Sequence, residues 1–176
     1  MSVTGISRLL QTNSAYSAAL AALADTSTAG GSISAITGLW PSLMSEAAVA
    51  GPLLAVTATG READHLERAL ADYLPAGSVA VFPSWETLPH EKLSPRSDTV
   101  GRRLSVLRRL SHPGDSPLSV VITPIRALLQ PLVTGLGDLE PVQLKVGDEI
   151  ALADLAEQLS DLAYSRVDMV SRRGEY

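Results

Sequence analysis

The segment ITGLWPSLM, residues 36–44, has the outline of a phosphate-binding loop: a glycine, a few variable positions, and a hydroxyl residue at a helix start. Such a loop needs glycines so that backbone N–H groups can approach the phosphates, a lysine for the β/γ charge and a hydroxyl for magnesium. Here Thr37 and Gly38 open the segment and Ser42 supplies the hydroxyl, but Trp40 stands at the second glycine and Pro41 at the lysine. Pro41 offers neither a donor nor a charge, and the Trp40 ring blocks close approach. A second segment, TATGRE at residues 57–62, also lacks the lysine. Neither is expected to hold a nucleotide. Asp64 and Glu67 read as a solvated helix face paired with Arg61 and Arg68, not as an acid/base dyad. His90 beside Glu91 has the types of a general-base pair, but no nucleophile lies near in sequence, and a loop hydrogen bond is the simpler reading. The residues alone describe a non-catalytic segment without a cofactor.

The other chemistry on offer is anion binding. Lys92, Arg96, Arg102, Arg103, Arg108 and Arg109 crowd one stretch in which Asp98 is a rare acid. On a helix beginning near Asp98, the four later arginines lie off the face made by Val100, Leu104, Leu107 and Leu110, so all four are expected in solvent. They could contact DNA phosphates without reading sequence, or they could be a solubilising face that favours the helix C-terminus. The net charge of −5 and the scarcity of aromatics weigh against nucleic acid. Trp85 is expected to plug its loop against the core. There are no cysteines, and the three histidines (65, 90 and 112) lack metal-ligand spacing, so no structural zinc is expected. No apolar run is long enough to span a membrane, and the protein is expected to be cytoplasmic.

These residues need elements to hold them. Residues 14–24 and 42–49 read as helices around a Gly/Ser/Thr break. Apolar runs at 51–58, 79–82 and 118–124 read as buried strands. Between them lie two amphipathic helices, one after TGRE and stopped at Pro75, the other from Ser97 or Asp98 to Pro113-Gly114. Strands alternating with helices imply an α/β fold with a parallel sheet. After Pro131 the pattern becomes strand (142–146), helix (152–162), strand (165–170), the start of a smaller α/β unit. The division expected is 1–131 and 132–176.

Between the second strand and its helix sits FPSWETLPHEKLSPRSDTVGRRLSVLRRL. This stretch resembles the signature of bacterial transcription-repair coupling factors: a strand leading into W-E-T-L-P, then S-P, then a helix with R-L-x-x-L. VVITPIRALLQ and YSRVDMVSRRGEY follow in the order and spacing of that family. The resemblance implies a fold like that of the excision-repair protein UvrB: a RecA-like first domain, here with a degenerate P-loop at Thr37, Gly38, Trp40, Pro41 and Ser42, and then a small domain that docks UvrA. Where UvrB carries T-G-S-G-K-T, this chain has Leu39, Trp40 and Pro41 between Gly38 and Ser42. No room exists for UvrB's damage-probing hairpin after Ser94-Pro95. The family displaces stalled RNA polymerase by ATP- and magnesium-dependent translocation on DNA and recruits UvrA. The motor and the polymerase-binding module would lie outside this chain. Arg166, Asp168, Arg172 and Arg173 are the polar groups nearest the family's UvrA-docking strand. Arg96, Arg102, Arg103, Arg108 and Arg109 are the candidate DNA contacts.

Overall fold

The computed structural model describes residues 3–25, 30–87, 95–114, 117–172 and 174–176. Its centre is a three-stranded parallel sheet of β1 (Leu53–Thr57), β2 (Val79–Val81) and β3 (Val120–Pro124), in the order β1-β3-β2. Leu53 and Val79 both lie opposite Val120, one on each side of the central strand. Three helices come before the sheet: α1 (Val3–Gln11), α2 (Ser14–Ala24) and α3 (Trp40–Ala47). Helix α4 (Gly60–Leu70) connects β1 to β2, and α5 (Ser97–Ser111) lies between β2 and β3. The short α6 (Ile125–Leu128) follows β3, and α7 (Leu152–Asp161) belongs to the C-terminal stretch. The chain is therefore α/β with a parallel sheet, as its alternating pattern implies. Among the described residues no helix is long and apolar enough to cross a membrane.

Alternation along β3 divides the core into two layers. Val120 and Ile122 join Ala55, Val81, Ala63 and Leu70 beneath α4, with Met44 of α3 and Ala48 just after it packed alongside. Val121 joins Phe82, Leu118, Val106 of α5 and Ala127 of α6 on the other face. Each such aliphatic side chain contributes about 1.5–3 kcal/mol when fully buried. β3 is buried along its whole length, including Thr123, whose hydroxyl donates to Phe82 O at 3.0 Å.

Three expectations are corrected. β1 is buried on one face only, because α5 and α6 cover the other strands, so Leu54 and Val56 are exposed. Helix α5 turns a different face inward. Thr99, Arg103 and Val106 are its buried residues, and Leu110 is 52% exposed. Finally, no strand forms at 142–146 or 165–170. Leu144 and Val146 stand in solvent with no neighbouring strand, and pairing is limited to one parallel bridge between Ser165 and Glu175. The helix expected between them is present.

The C-terminal stretch is held mainly to α5. A short 3-10 turn at Leu136–Asp138 packs so closely that a Cβ on Gly137 would lie 2.9 Å from Leu107 O. Arg108 Nη1 donates to Leu139 O at 2.8 Å, and His112 Nε2 meets Asp138 Oδ1 at 3.1 Å.

Candidate functional site

The segment expected to be a degenerate P-loop forms a 3-10 turn at Thr37–Leu39 that runs straight into α3, with Pro41 in its first turn. Pro41 is suited there because the first N–H groups of a helix have no intrahelical acceptor to lose. The helix start is as the sequence implies. A strand before it is not seen: residues 30–36 have no regular structure. Thr37 and Gly38 are exposed, Trp40 is half-buried, and Ser42 is buried. The Ser42 hydroxyl lies 2.7 Å from Tyr16 OH, which donates to Glu46 Oε1 at 2.9 Å, while Gln11 Nε2 donates to Glu46 Oε2 at 2.7 Å. The group that would hold magnesium in a phosphate loop is thus turned inward, fastening the N-terminal helices to α3. Burial raises the Tyr16 pKa, with Glu46 adding to the effect against the Ser42 bond.

The strand-turn-helix order that a phosphate loop needs occurs instead at the second segment, between β1 and α4. Two of its donors are already used. Thr59 Oγ1 accepts from Glu62 N at 3.2 Å, and Glu62 Oε2 accepts from Ala58 N at 3.1 Å. This arrangement, a capping box shifted by one residue because Glu62 accepts from the residue before the N-cap Thr59, puts a carboxylate at the positive end of α4, where a phosphate would otherwise be favoured. Thr37, Trp40 and Pro41 share a cleft of about 890 Å³ with β1 and α4, lined mostly by apolar atoms.

The loop after β2 is tied down residue by residue. Pro83 O accepts from Arg103 Nη1 at 2.6 Å. The guanidinium carbon of Arg103 lies 4.1 Å from the Phe82 ring centroid and 4.2 Å from that of Trp85, a double cation–π contact. Gln130 holds the Trp85 backbone from both sides: its Oε1 accepts from Trp85 N at 2.8 Å, and its Nε2 donates to Trp85 O at 3.3 Å. Glu86 accepts from the Thr99 hydroxyl. Partial desolvation works against the Glu86 anion, but that bond, backbone N–H groups of Glu86 and Arg96 and the Arg96 charge outweigh it, so its pKa lies below the usual carboxylate value. Helix α5 has no capping side chain at its own N-cap residue, Arg96, and Glu86 supplies the negative charge its start favours. Leu88 to Ser94, with His90, Glu91 and Lys92, lie outside the described residues.

The candidate DNA contacts separate. Arg103 is 1% exposed and cannot meet a phosphate in this arrangement, contrary to its expected place in solvent. The apolar count on α5 selected the wrong face because it had no reason to put a cation in the core. Arg108 bonds Leu139 O, and Arg109 Nη2 donates to Gly77 O at 2.5 Å. Arg102 faces Asp64 across 3.9 Å, and Arg96 is exposed near Glu86. Asp64 therefore pairs across to α5, while Arg68 Nε donates to its backbone carbonyl at 3.1 Å. Arg166, Asp168 and Arg172 are all exposed, on a loop shaped by Glu175. Glu175 Oε2 accepts from Ser171 N and Arg172 N, each at 2.9 Å, and these bonds lower its pKa. Arg173 lies outside the described residues. Among the described residues, no group of three or more His, Cys, Asp or Glu is placed to hold a metal ion.

Arg103 with Trp85 and Gln130, and Tyr16 with Ser42 and Glu46, are the constellations that the sequence did not assemble. Their members lie as far as 45 residues apart, and spacing gave no signal for either.

The fold and these sites define an α/β protein in which polar side chains brace loops and helices. No family model matches the chain. Its relatives are more informative. It is 57% identical over 130 residues to the transcription-repair-coupling factor of Mycobacterium tuberculosis, 34% over 122 residues to that of Haemophilus influenzae, and 28% over 128 residues to that of Escherichia coli. The chain is a homologue of the transcription-repair-coupling factors, matched over 72% of its own length in the mycobacterial comparison and spanning about 10% of the relative.

Proposed function

We propose that this chain is an N-terminal, non-catalytic segment of a transcription-repair-coupling factor, with a RecA-like scaffold over residues 1–131 and the opening part of a UvrA-recruiting domain over 132–176. The observation that carries this reading is the 57% identity over 130 residues. Trp85, in the W-E-T-L-P stretch that carries the resemblance, is braced by Gln130 on its backbone and by Arg103 on its ring. Loss of nucleotide chemistry is supported by Ser42 being bonded to Tyr16 and by the carboxylate of Glu62 at the start of α4. ATP and magnesium would then serve a motor elsewhere in the longer protein, along with contacts to RNA polymerase and DNA. A bare DNA-binding module on α5 is the weaker reading, because Arg103 is buried and Arg108 and Arg109 bond backbone carbonyls.

The experiment is UvrA binding by this chain, beside a version extended by about 40–100 residues, roughly the size a small domain needs to fold. Binding by the longer chain alone is expected. Binding by the short chain would move the contact to the loop of Arg166, Asp168 and Arg172 or to the first unit. Failure of both would overturn the recruitment role.

A further inference from the structure

The two edges of the sheet differ. Leu53 N donates to Ser119 O at 2.9 Å, so in this parallel ladder the odd-numbered residues of β1 bond to β3. The N–H and C=O groups of Leu54 and Val56 therefore point away from the sheet, and they have no hydrogen-bond partner among the described residues. β1, with the sequence LLAVT, carries neither the charge nor the proline that blunts many such edges. Its Leu54 and Val56 side chains are 59% and 48% exposed. β2, at the other edge, is three residues long, and its Val81 is already buried.

The open groups of β1 complement themselves. A two-fold axis normal to the sheet at Ala55 sets Leu54 opposite the partner's Val56, and Val56 opposite the partner's Leu54. Each is an antiparallel pair that exchanges both N–H···O bonds, so every outward group of both strands is used. Ala55 meets its own copy at the axis, where the closer spacing of a non-hydrogen-bonded pair suits a small side chain. On one face, the exposed Leu54 and Val56 cover each other across the strands. On the other face the charges agree. Arg61, His65 and Asp72 line the cleft along this edge, and their side chains have no ion-pair or hydrogen-bond partner among the described residues. Helix α4 returns the chain from the end of β1 to the start of the parallel β2, so Arg61 lies towards the end of β1 and Asp72 towards its beginning. The axis exchanges those ends and brings Arg61 of each copy towards the partner's Asp72. We propose that the β1 edge is an interface for a second copy of this chain, joining two sheets into one through an isologous contact. The proposal is independent of UvrA and of the recruitment role.

The test is sedimentation of this chain from about 10 µM to about 1 mM, with amide exchange read at both ends of the range. A monomer–dimer equilibrium is expected, with the Leu54 and Val56 amides protected only at the high concentration. Val56→Lys, at a half-exposed position, puts a charge against the partner's Leu54. It should weaken association about tenfold or more and leave the melting temperature of the dilute monomer unchanged. Exchanging charges tests the axis. Arg61→Asp and Asp72→Arg each bring like charges together and weaken the dimer, and the double variant regains it. Within one chain the two positions lie about 16 Å apart at helical rise, so the recovery cannot come from a pair inside one copy. A chain that stays monomeric throughout overturns the proposal and leaves the edge to an extended segment of another protein. A dimer that survives Val56→Lys, or that the double charge exchange fails to restore, also overturns it, since association then uses another face or another axis.

Discussion

Glu86 shows how one side chain serves two elements. It stands in the loop after β2, yet its carboxylate is held by Thr99 and the backbone at the start of α5. Its pKa is lowered on folding from a usual value of 4.5. The stability it contributes is therefore complete above that value and is lost as pH falls through the lower, folded one. Glu86→Gln is expected to flatten the acid limb of Tm against pH below about 4.5, the ordinary carboxylate range. An unchanged limb would show that the carboxylate does not anchor the helix. A second prediction concerns the capping box of α4. Thr59→Ala removes the acceptor for Glu62 N and should cost about 0.5–2 kcal/mol in denaturant unfolding. At this scale the sequence spoke through single residue types and not through partners. Pro41 and Trp40 are the reason no phosphate loop is expected at residues 36–44. The partner of Ser42 lay in a different helix, and no local rule connects it with Tyr16.

At the scale of elements, the pattern read well where apolar runs are buried by neighbours. All three strands fall within their expected runs, and α2 spans 14–24 as expected. The misreading of α5 has a physical cause. Its apolar stripe and its buried stripe differ by part of a turn, since Arg103 and Thr99 bury themselves through aromatic contacts and hydrogen bonds that periodicity does not register. Two substitutions measure this rotation. Val106→Thr puts a hydroxyl into a site only 3% exposed and should destabilise by about 1–3 kcal/mol. Leu110→Gln, on the stripe the sequence favoured, should change stability by about 0.5 kcal/mol or less. Equal losses would restore the apolar stripe as the buried one. The strands expected at 142–146 and 165–170 failed for a complementary reason: alternation describes a strand with one covered face, but a strand also needs a neighbour to receive its backbone bonds.

Across the whole molecule, order is graded from the sheet outward. β3 is enclosed by strands on both edges and helices on both faces, whereas α7 has no buried residue. Residues 139–150 contain no helix or strand, and most of them are exposed. The C-terminal stretch depends on a few attachments to α5: Gly137 against Leu107, Arg108 to Leu139, and His112 to Asp138. Local opening should therefore separate this stretch from the sheet. Native-state hydrogen exchange is expected to show the amides of β3 protected close to the global limit, with those after Pro131 exchanging through smaller openings. Gly137→Ala sharpens the test, because its Cβ would press on the α5 backbone. It should lower protection after Pro131 while leaving β3 in the slowest class. If protection falls uniformly, α5 transmits the strain to the core and the two regions unfold together. In that case the stretch after Pro131 contributes to the stability of the sheet.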